Sequence, residues 1–211
     1  LALLPSGAMP DMLAQVLGED LERVRLALER GVRVGLLQSG REAGSFRFGH
    51  ELMREACAAR CPDATARRYH RHIAGAVAGT PAEAHHRLAA GEATPQAREC
   101  FLREARHLDA RRALWEALRL YEAALDIEPQ SPDAEDLALR VAELRIQVGL
   151  AEPAAALLLQ RLVTIRKPLL RGRYLHRLGE AYGSQGRNDE ALAHVTELEG
   201  QESFGLVSRP A

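Results

Sequence analysis

Aromatic residues make up only 4% of the 211 residues, and there is one Trp. Sheet sandwiches and barrels draw on aromatic and β-branched side chains, so this scarcity argues against them. Ala, Leu, Arg and Glu dominate instead and favour helix. A surplus of charge is also missing: 28 Lys and Arg face 29 Asp and Glu, a net of −1. No global charge pulls the chain to nucleic acid or to an anionic membrane. No apolar run reaches the ~18 residues of a spanning helix. Cysteine is limited to Cys57, Cys61 and Cys100, without C-x-x-C spacing. Three thiols cannot all pair, and the simplest reading is a reduced, cytoplasmic setting with the thiols as small buried hydrophobes. The chain opens on Leu1 without a basic-then-apolar leader, and reads as a piece of something longer or a product whose start was lost. What is present is ordinary for a globular protein: 46% hydrophobic and 27% charged residues. That suffices for one large domain or two small ones.

Residues 1–79 form a first expected unit. Leu1–Leu4 end at Pro5-Ser6-Gly7, and Met9–Leu17 reads as a short helix closed by Gly18. Asp20 can cap the next helix, in which Leu21, Val24 and Leu28 recur at helical spacing until Gly31 stops it. The period then changes. Val34, Leu36 and Leu37 lead to Gln38, a turn-rich stretch follows, and Phe46-Arg47-Phe48 alternates. These segments predict two short strands in a hairpin. Two helices follow, His50–Arg60 with Leu52, Met53, Ala56 and Cys57 on one face, and Asp63–Ala78 with Pro62 at its start. Helix, helix, hairpin, helix is the order of a winged helix with its first helix clipped.

Gly79-Thr80-Pro81 is the expected boundary, with 80–211 helical after it. Ala82–Ala90 predicts a bridging helix ending at Gly91. A repeat then emerges: Ala117, Ala154 and Ala191 recur every 37 residues, close to the ~34-residue tetratricopeptide (TPR) period. Each repeat pairs a helix A with a helix B, small residues allowing close approach and bulky ones filling the groove. In the first repeat these roles fall to Phe101, Ala105 and Leu108, then Ala117, Tyr121 and Ala124, with Glu104 where an apolar residue is usual. In the second they fall to Ala138, Ala142 and Arg145, then Ala154 and Leu158. In the third they fall to Leu175, Leu178, Gly179 and Tyr182, then Ala191, Val195 and Leu198. The tail Gln201–Ala211 is too short for a further repeat and offers no evident polar cap.

The segment Phe46-Arg47-Phe48-Gly49-His50-Glu51-Leu52-Met53-Arg54 resembles the winged-helix module that follows the nucleotide-binding domain of STAND-type ATPases. These include bacterial transcriptional activators of the maltose-activator and large LuxR-like kind. Arg68-Tyr69-His70-Arg71-His72-Ile73-Ala74 resembles the module's closing helix. His85-His86-Arg87-Leu88 and Ala113–Leu125 resemble the start of the helical-repeat sensor that comes next. By this resemblance His50, with Arg54, senses the phosphates of ADP bound to a partner domain. Gly49 stands where the family usually has Met, and Glu51 where it has Asp. ATP or ADP would belong to the full-length protein only, since this chain has no GxxxxGK[ST] loop.

Other candidates read as structural. His70, His72, His85 and His86 lack the i,i+3 or i,i+4 spacing of helical metal sites, so no metal is expected. Arg23, Arg25 and Arg30 share their helix with Glu19, Asp20, Glu22 and Glu29, which argues against DNA. No Ser or Cys has an evident base partner, so no catalytic residue is assigned. Trp115 reads as a packing residue, and Arg166, Lys167, Arg171 and Arg173 as a basic turn.

The expectation is therefore a mainly α protein: a truncated winged helix with one β-hairpin over 1–79, then a TPR-like α-α solenoid over 80–211. Its expected role is regulatory and non-enzymatic. The repeats would present a concave surface to a protein or small effector, and the winged helix would relay that event to a nucleotide-binding domain not present in this chain. The rival readings are a free-standing TPR-like adaptor and a winged-helix DNA-binding protein. No membrane association is expected.

Overall fold

The computed structural model describes residues 1–193. It divides into two compact units, Leu1–Ala97 and Arg98–Ala211. The division lies beyond the Gly79-Thr80-Pro81 segment singled out by composition. Helix-breaking residues mark a turn there, but the helix after the turn still packs on the one before it.

In the first unit, α1 (Pro10–Leu17) ends at Gly18, whose φ of 67° places it in the left-handed region that Gly enters without strain. Asp20 then caps α2 (Leu21–Arg33), its Oδ1 accepting from the backbone N–H of Glu22 at 3.0 Å and of Arg23 at 3.1 Å. The expected stop at Gly31 is corrected: α2 runs through it. Gly31 serves packing, since a Cβ there would sit 2.6 Å from Leu37 Cδ1. Leu37 begins β1 (Leu37–Ser39), which pairs antiparallel with β2 (Phe46–Phe48) in the register Leu37↔Phe48. The second strand is where alternation placed it, while the first starts later than expected, because Val34 closes α2 and is exposed. Ala8 adds a bridge to Phe46, exchanging both backbone hydrogen bonds at 2.9 Å. Gly7 makes this possible, because a Cβ at that residue would lie 2.5 Å from the Phe46 carbonyl oxygen.

α3 (Glu51–Ala59), α4 (Asp63–Ala76) and α5 (Pro81–Ala89) complete the unit. Its core joins Leu4, Ala8, Leu13, Val16, Val24, Leu28 and Ile73. α3 contributes no buried residue. Leu52 and Met53 face solvent, and Cys57 is exposed, so the apolar face expected to be core is left open by the described residues. Of the three thiols only Cys100 is buried.

The second unit carries the repeats. α6 (Pro95–Ala110), α7 (Leu114–Ile127), α8 (Ala134–Gln147), α9 (Ala151–Leu162) and α10 (Pro168–Ser184) follow in turn, with helix again over 188–193. The small residues Ala105, Ala117, Ala124, Ala138, Ala142 and Ala154 are fully buried, and Gly179 is buried as well. Phe101, Tyr121, Leu158, Leu178 and Tyr182 fill the space around them. The second repeat, whose bulky positions are the least regular in sequence, is as fully packed as the others. Ala191 is half-buried, while Val195, Leu198 and the tail from Gln201 lie outside the described residues.

The 37-residue period also governs the turns. Arg112, Gly149 and Gly186 occupy equivalent places between helix A and helix B, with φ of 62°, 85° and 73°. A left-handed residue is what each turn requires, and the first repeat meets the requirement with Arg. Among the described residues Arg112 is the single non-Gly residue at positive φ.

Candidate interaction surface

The A helices of the second unit are joined sideways by charge. Arg140 on α8 donates to both carboxylate oxygens of Asp109 on α6, at 2.8 and 2.5 Å, and to Glu143 one turn along at 2.7 Å. Glu143 in turn pairs with Arg177 on α10, which also donates to Glu180 at 2.7 Å. Arg140 and Arg177 are 37 residues apart, as are Glu143 and Glu180. The ladder is thus a repeat feature like the alanines. Its bonds to Asp109 and Glu143 hold the Arg140 pKa above the ordinary arginine value. Burial opposes the charge on Arg177, but the bonds to Glu180 and Glu143 outweigh it, and that pKa is raised too.

Between α8 and α10 these side chains wall a cleft of about 360 Å³, lined also by Ile146 and Gln147. Its outline is held from the other side of α8. Buried Tyr174 donates its hydroxyl to the Glu135 carbonyl at 2.9 Å and to the Glu135 carboxylate at 2.6 Å. Burial, then the Glu135 bond, raises the Tyr174 pKa. Arg173 reaches Asp136 at 2.7 Å. Walls of matched charges with Ile146 as the one apolar side chain between them suit a polypeptide, whose amides and mixed side chains can replace water at such a surface.

The residues named by the family resemblance lie in the first unit. His50 is the N-cap of α3, exposed and without a capping hydrogen bond. Arg54 is engaged: Nη1 donates to the Ala2 carbonyl at 2.8 Å and Nε to Glu51 at 2.8 Å. The guanidinium thereby fastens α3 to the N-terminal segment. Two apolar grooves flank this region, of about 350 Å³ against α2 and the hairpin and about 210 Å³ beside Cys57, Cys61 and Tyr69.

The His group is arranged in a way that spacing along one helix does not reveal. His70 on α4 and His86 on α5 meet with their Nδ1 atoms 2.8 Å apart. One must donate and the other accept, so the contact requires the accepting ring to be neutral and is lost when both are protonated. Burial lowers the His70 pKa. Burial, then His70 and His85, lowers that of His86 to about 4. Beside them Arg87 ties Glu83 at 2.7 Å to Glu92 at 2.5 Å. His72 donates from Nδ1 to the Val16 carbonyl at 2.8 Å and so serves structure. Among the described residues no group of three or more potential ligands is placed to hold a metal ion.

The remaining sequence candidates divide. Arg23 and Arg25 sit in ion pairs with Glu19 and Glu22, at 2.7 and 3.4 Å, while Arg30, in the last turn of α2, has no ion pair among the described residues. In the basic turn, Arg171 bonds the Leu162 carbonyl and Arg173 is held by Asp136. Trp115 corrects its assignment: it is 54% exposed and packs into no core. Its place in the first turn of α7, on the side away from Ala117 and Tyr121, is the physical reason.

No family model and no curated protein matches the chain. Among solved structures it is similar to a protein of Podosopora anserina described as a kinesin light chain with nearly identical TPR-like repeats. The identity is 19% and the TM-score 0.52, covering 93% of this chain and 92% of that one. A variant of the same protein matches with the same identity and TM-score over 92% of each chain. The chain has a TPR-like helical-repeat fold. At this identity the likeness is one of fold alone. No helix among its described residues is long and apolar enough to cross a membrane.

Proposed function

We propose that the chain is a non-enzymatic interaction module that holds a polypeptide partner against the A helices of its repeats. The carrying observation is the cleft between α8 and α10, whose walls are ion pairs set at the repeat period. A surface ordered before binding loses less entropy when a partner arrives. The TPR-like fold supports the same reading, since stacked helix pairs build extended binding surfaces. The test is capture of partners from an extract by immobilised wild-type chain and by an Ile146→Glu/Gln147→Glu variant. The reading expects a discrete partner that the variant loses while keeping its helical circular dichroism. Identical capture by both forms contradicts it.

A specific observation favours placing this module in a STAND-type regulator. α3 leaves Leu52 79% exposed and buries nothing, as a helix meant for another domain would. The Ala8–Phe46 bridge and the order α1, α2, β1, β2, α3 suit a winged helix. In this reading a nucleotide-binding domain carries ATP or ADP, His50 approaches its phosphate, and Arg54 positions α3. The setting is the cytoplasm. Small-effector binding at the repeats belongs to the same reading. Sequencing the coding DNA on both sides tests it: a P-loop in frame upstream is expected, and His50→Ala in that full product should raise its resting activity. A start codon directly before Leu1 leaves the free-standing adaptor. The DNA-binding alternative requires salt-sensitive duplex binding that weakens without Arg23 and Arg25.

A further inference from the structure

The three repeats serve as internal controls for one another, and they differ sharply at one place. At the turn into helix B the first repeat carries Arg111, Arg112, Trp115 and Arg119. The equivalent residues are Val148, Gly149, Glu152 and Ala156 in the second repeat, and Gln185, Gly186, Asp189 and Ala193 in the third. The scaffold therefore needs neither the arginines nor the indole. All four side chains are exposed, and the three arginines make no ion pair among the described residues. This contrasts with the ladder on the A helices, where Arg140 and Arg177 are both matched by carboxylates. Glu116 is the exposed acid adjacent to Trp115.

Backbone geometry singles out the same turn. Arg112 holds a φ of 62° where the other repeats use Gly, a conformation that disfavours any side chain with a Cβ. Backbone bonds fix the turn: Arg111 N–H donates to His107 and Leu108 carbonyls, Arg112 to Asp109 at 2.9 Å and Ala113 to Leu108 at 3.0 Å. A large cation is thus retained at a position better suited to Gly, beside an exposed indole and two more free cations. Trp and Arg are the side chains that most often dominate protein interfaces. Strained backbone is commonest where a side chain has a task.

We propose that the Arg111–Arg119 turn docks an acidic polypeptide segment, its carboxylates taken by Arg111, Arg112 and Arg119 and an apolar side chain laid on Trp115. The proposal rests on the reading of the chain as a polypeptide-binding module and gives its partner a chemistry. Guanidinium groups match carboxylates in two-bonded geometry. A nucleic acid is the less favoured occupant, because phosphate tracking needs positive charge spread along a path. Here Arg111, Arg112 and Arg119 crowd into a single turn of a chain with net charge −1, and form no extended track.

Trp115 is the single Trp, so its emission, selectively excited, reports directly on this turn. The full chain is titrated at low ionic strength with a random Glu-Tyr copolymer. A Lys-Tyr copolymer and an oligo-dT are the comparison probes. The expected result is a saturable emission change with the Glu-Tyr copolymer alone. Its affinity should fall about tenfold in Arg111→Ala/Arg119→Ala, and severalfold in Arg112→Gly. Arg112→Gly installs the residue that the other repeats use, so loss of fold cannot explain its effect. No saturable change, or equal affinity in the arginine variants, overturns the proposal. Tighter binding of oligo-dT with the same arginine dependence overturns it in favour of a nucleic-acid surface. Copolymer binding that ignores the arginines but disappears in Ile146→Glu/Gln147→Glu overturns the turn and leaves the cleft reading standing. Partner capture that depends on Ile146 and Gln147, without any copolymer response, does the same.

Discussion

Arg140 takes both carboxylate oxygens of Asp109, a residue on the A helix one repeat earlier, at 2.8 and 2.5 Å. This two-bonded contact is partly shielded, with Asp109 the more enclosed partner. It should therefore count for more than an exposed pair. Arg140→Ala is expected to destabilise the chain by about 1–2 kcal/mol. An Arg140→Ala/Asp109→Asn double-mutant cycle should return a coupling of about 1 kcal/mol. Chemical denaturation provides both numbers, and additive single effects would reduce the ladder to ornament.

Arg112 gives a prediction of opposite sign. Its left-handed backbone should make Arg112→Gly stabilising by roughly 0.5–1 kcal/mol. Gly149→Ala and Gly186→Ala, at the equivalent turns, should each destabilise by about 1 kcal/mol. Denaturation midpoints of the three variants settle the comparison. A destabilised Arg112→Gly would mean that the arginine side chain contributes to folding.

The repeat period was legible from Ala117, Ala154 and Ala191 alone, because small residues are obligatory where antiparallel helices approach. Applied to charges, the same period would have exposed Arg140 with Arg177 and Glu143 with Glu180. Applied to turns, it would have marked Arg112 as the odd member of a Gly series. Other features were beyond local patterns. His70 and His86 come from different helices, so spacing along one helix could not bring them together. Gly31 reads as a stop in sequence, and only the approach of Leu37 explains why the helix continues. The helical stripe of α3 was visible, but whether a stripe is covered by this chain depends on tertiary partners.

The His70–His86 pair makes acid stability a test. In the folded chain His86 titrates at about 4, against 6.5 when unhindered. The unfolded chain thus binds more protons between those values, and stability must rise with pH across that window. The contribution is fully present above about pH 6.5 and is lost as the pH falls towards 4. Burial and the neighbouring His70 and His85 set the effect at up to about 3 kcal/mol, reduced by solvent screening of the partly open pair. Arg71, Arg87, Glu83 and Glu92 lie around the pair and should move the window only slightly. Urea midpoints measured across the window should fall more steeply in wild type than in His86→Gln. Parallel curves would show that the pair has no such role.

Close packing at the repeat seams gives a further expectation. Ala154 is fully buried, so Ala154→Leu must push helices apart at a cost of about 1–3 kcal/mol. Leu52, being exposed, should tolerate Asp within about 0.5 kcal/mol in this chain. Thermal unfolding of the two variants should rank them in that order. A strongly destabilised Leu52→Asp would show that α3 is core after all.

Amide hydrogen exchange of the full chain, with and without a captured partner, tests the central claim most directly. The account predicts added protection on α8 and α10 around the cleft, centred on Ile146, Gln147 and Arg177, and at the turn before Trp115. Protection confined to α1–α5, or none on the A helices, would contradict it.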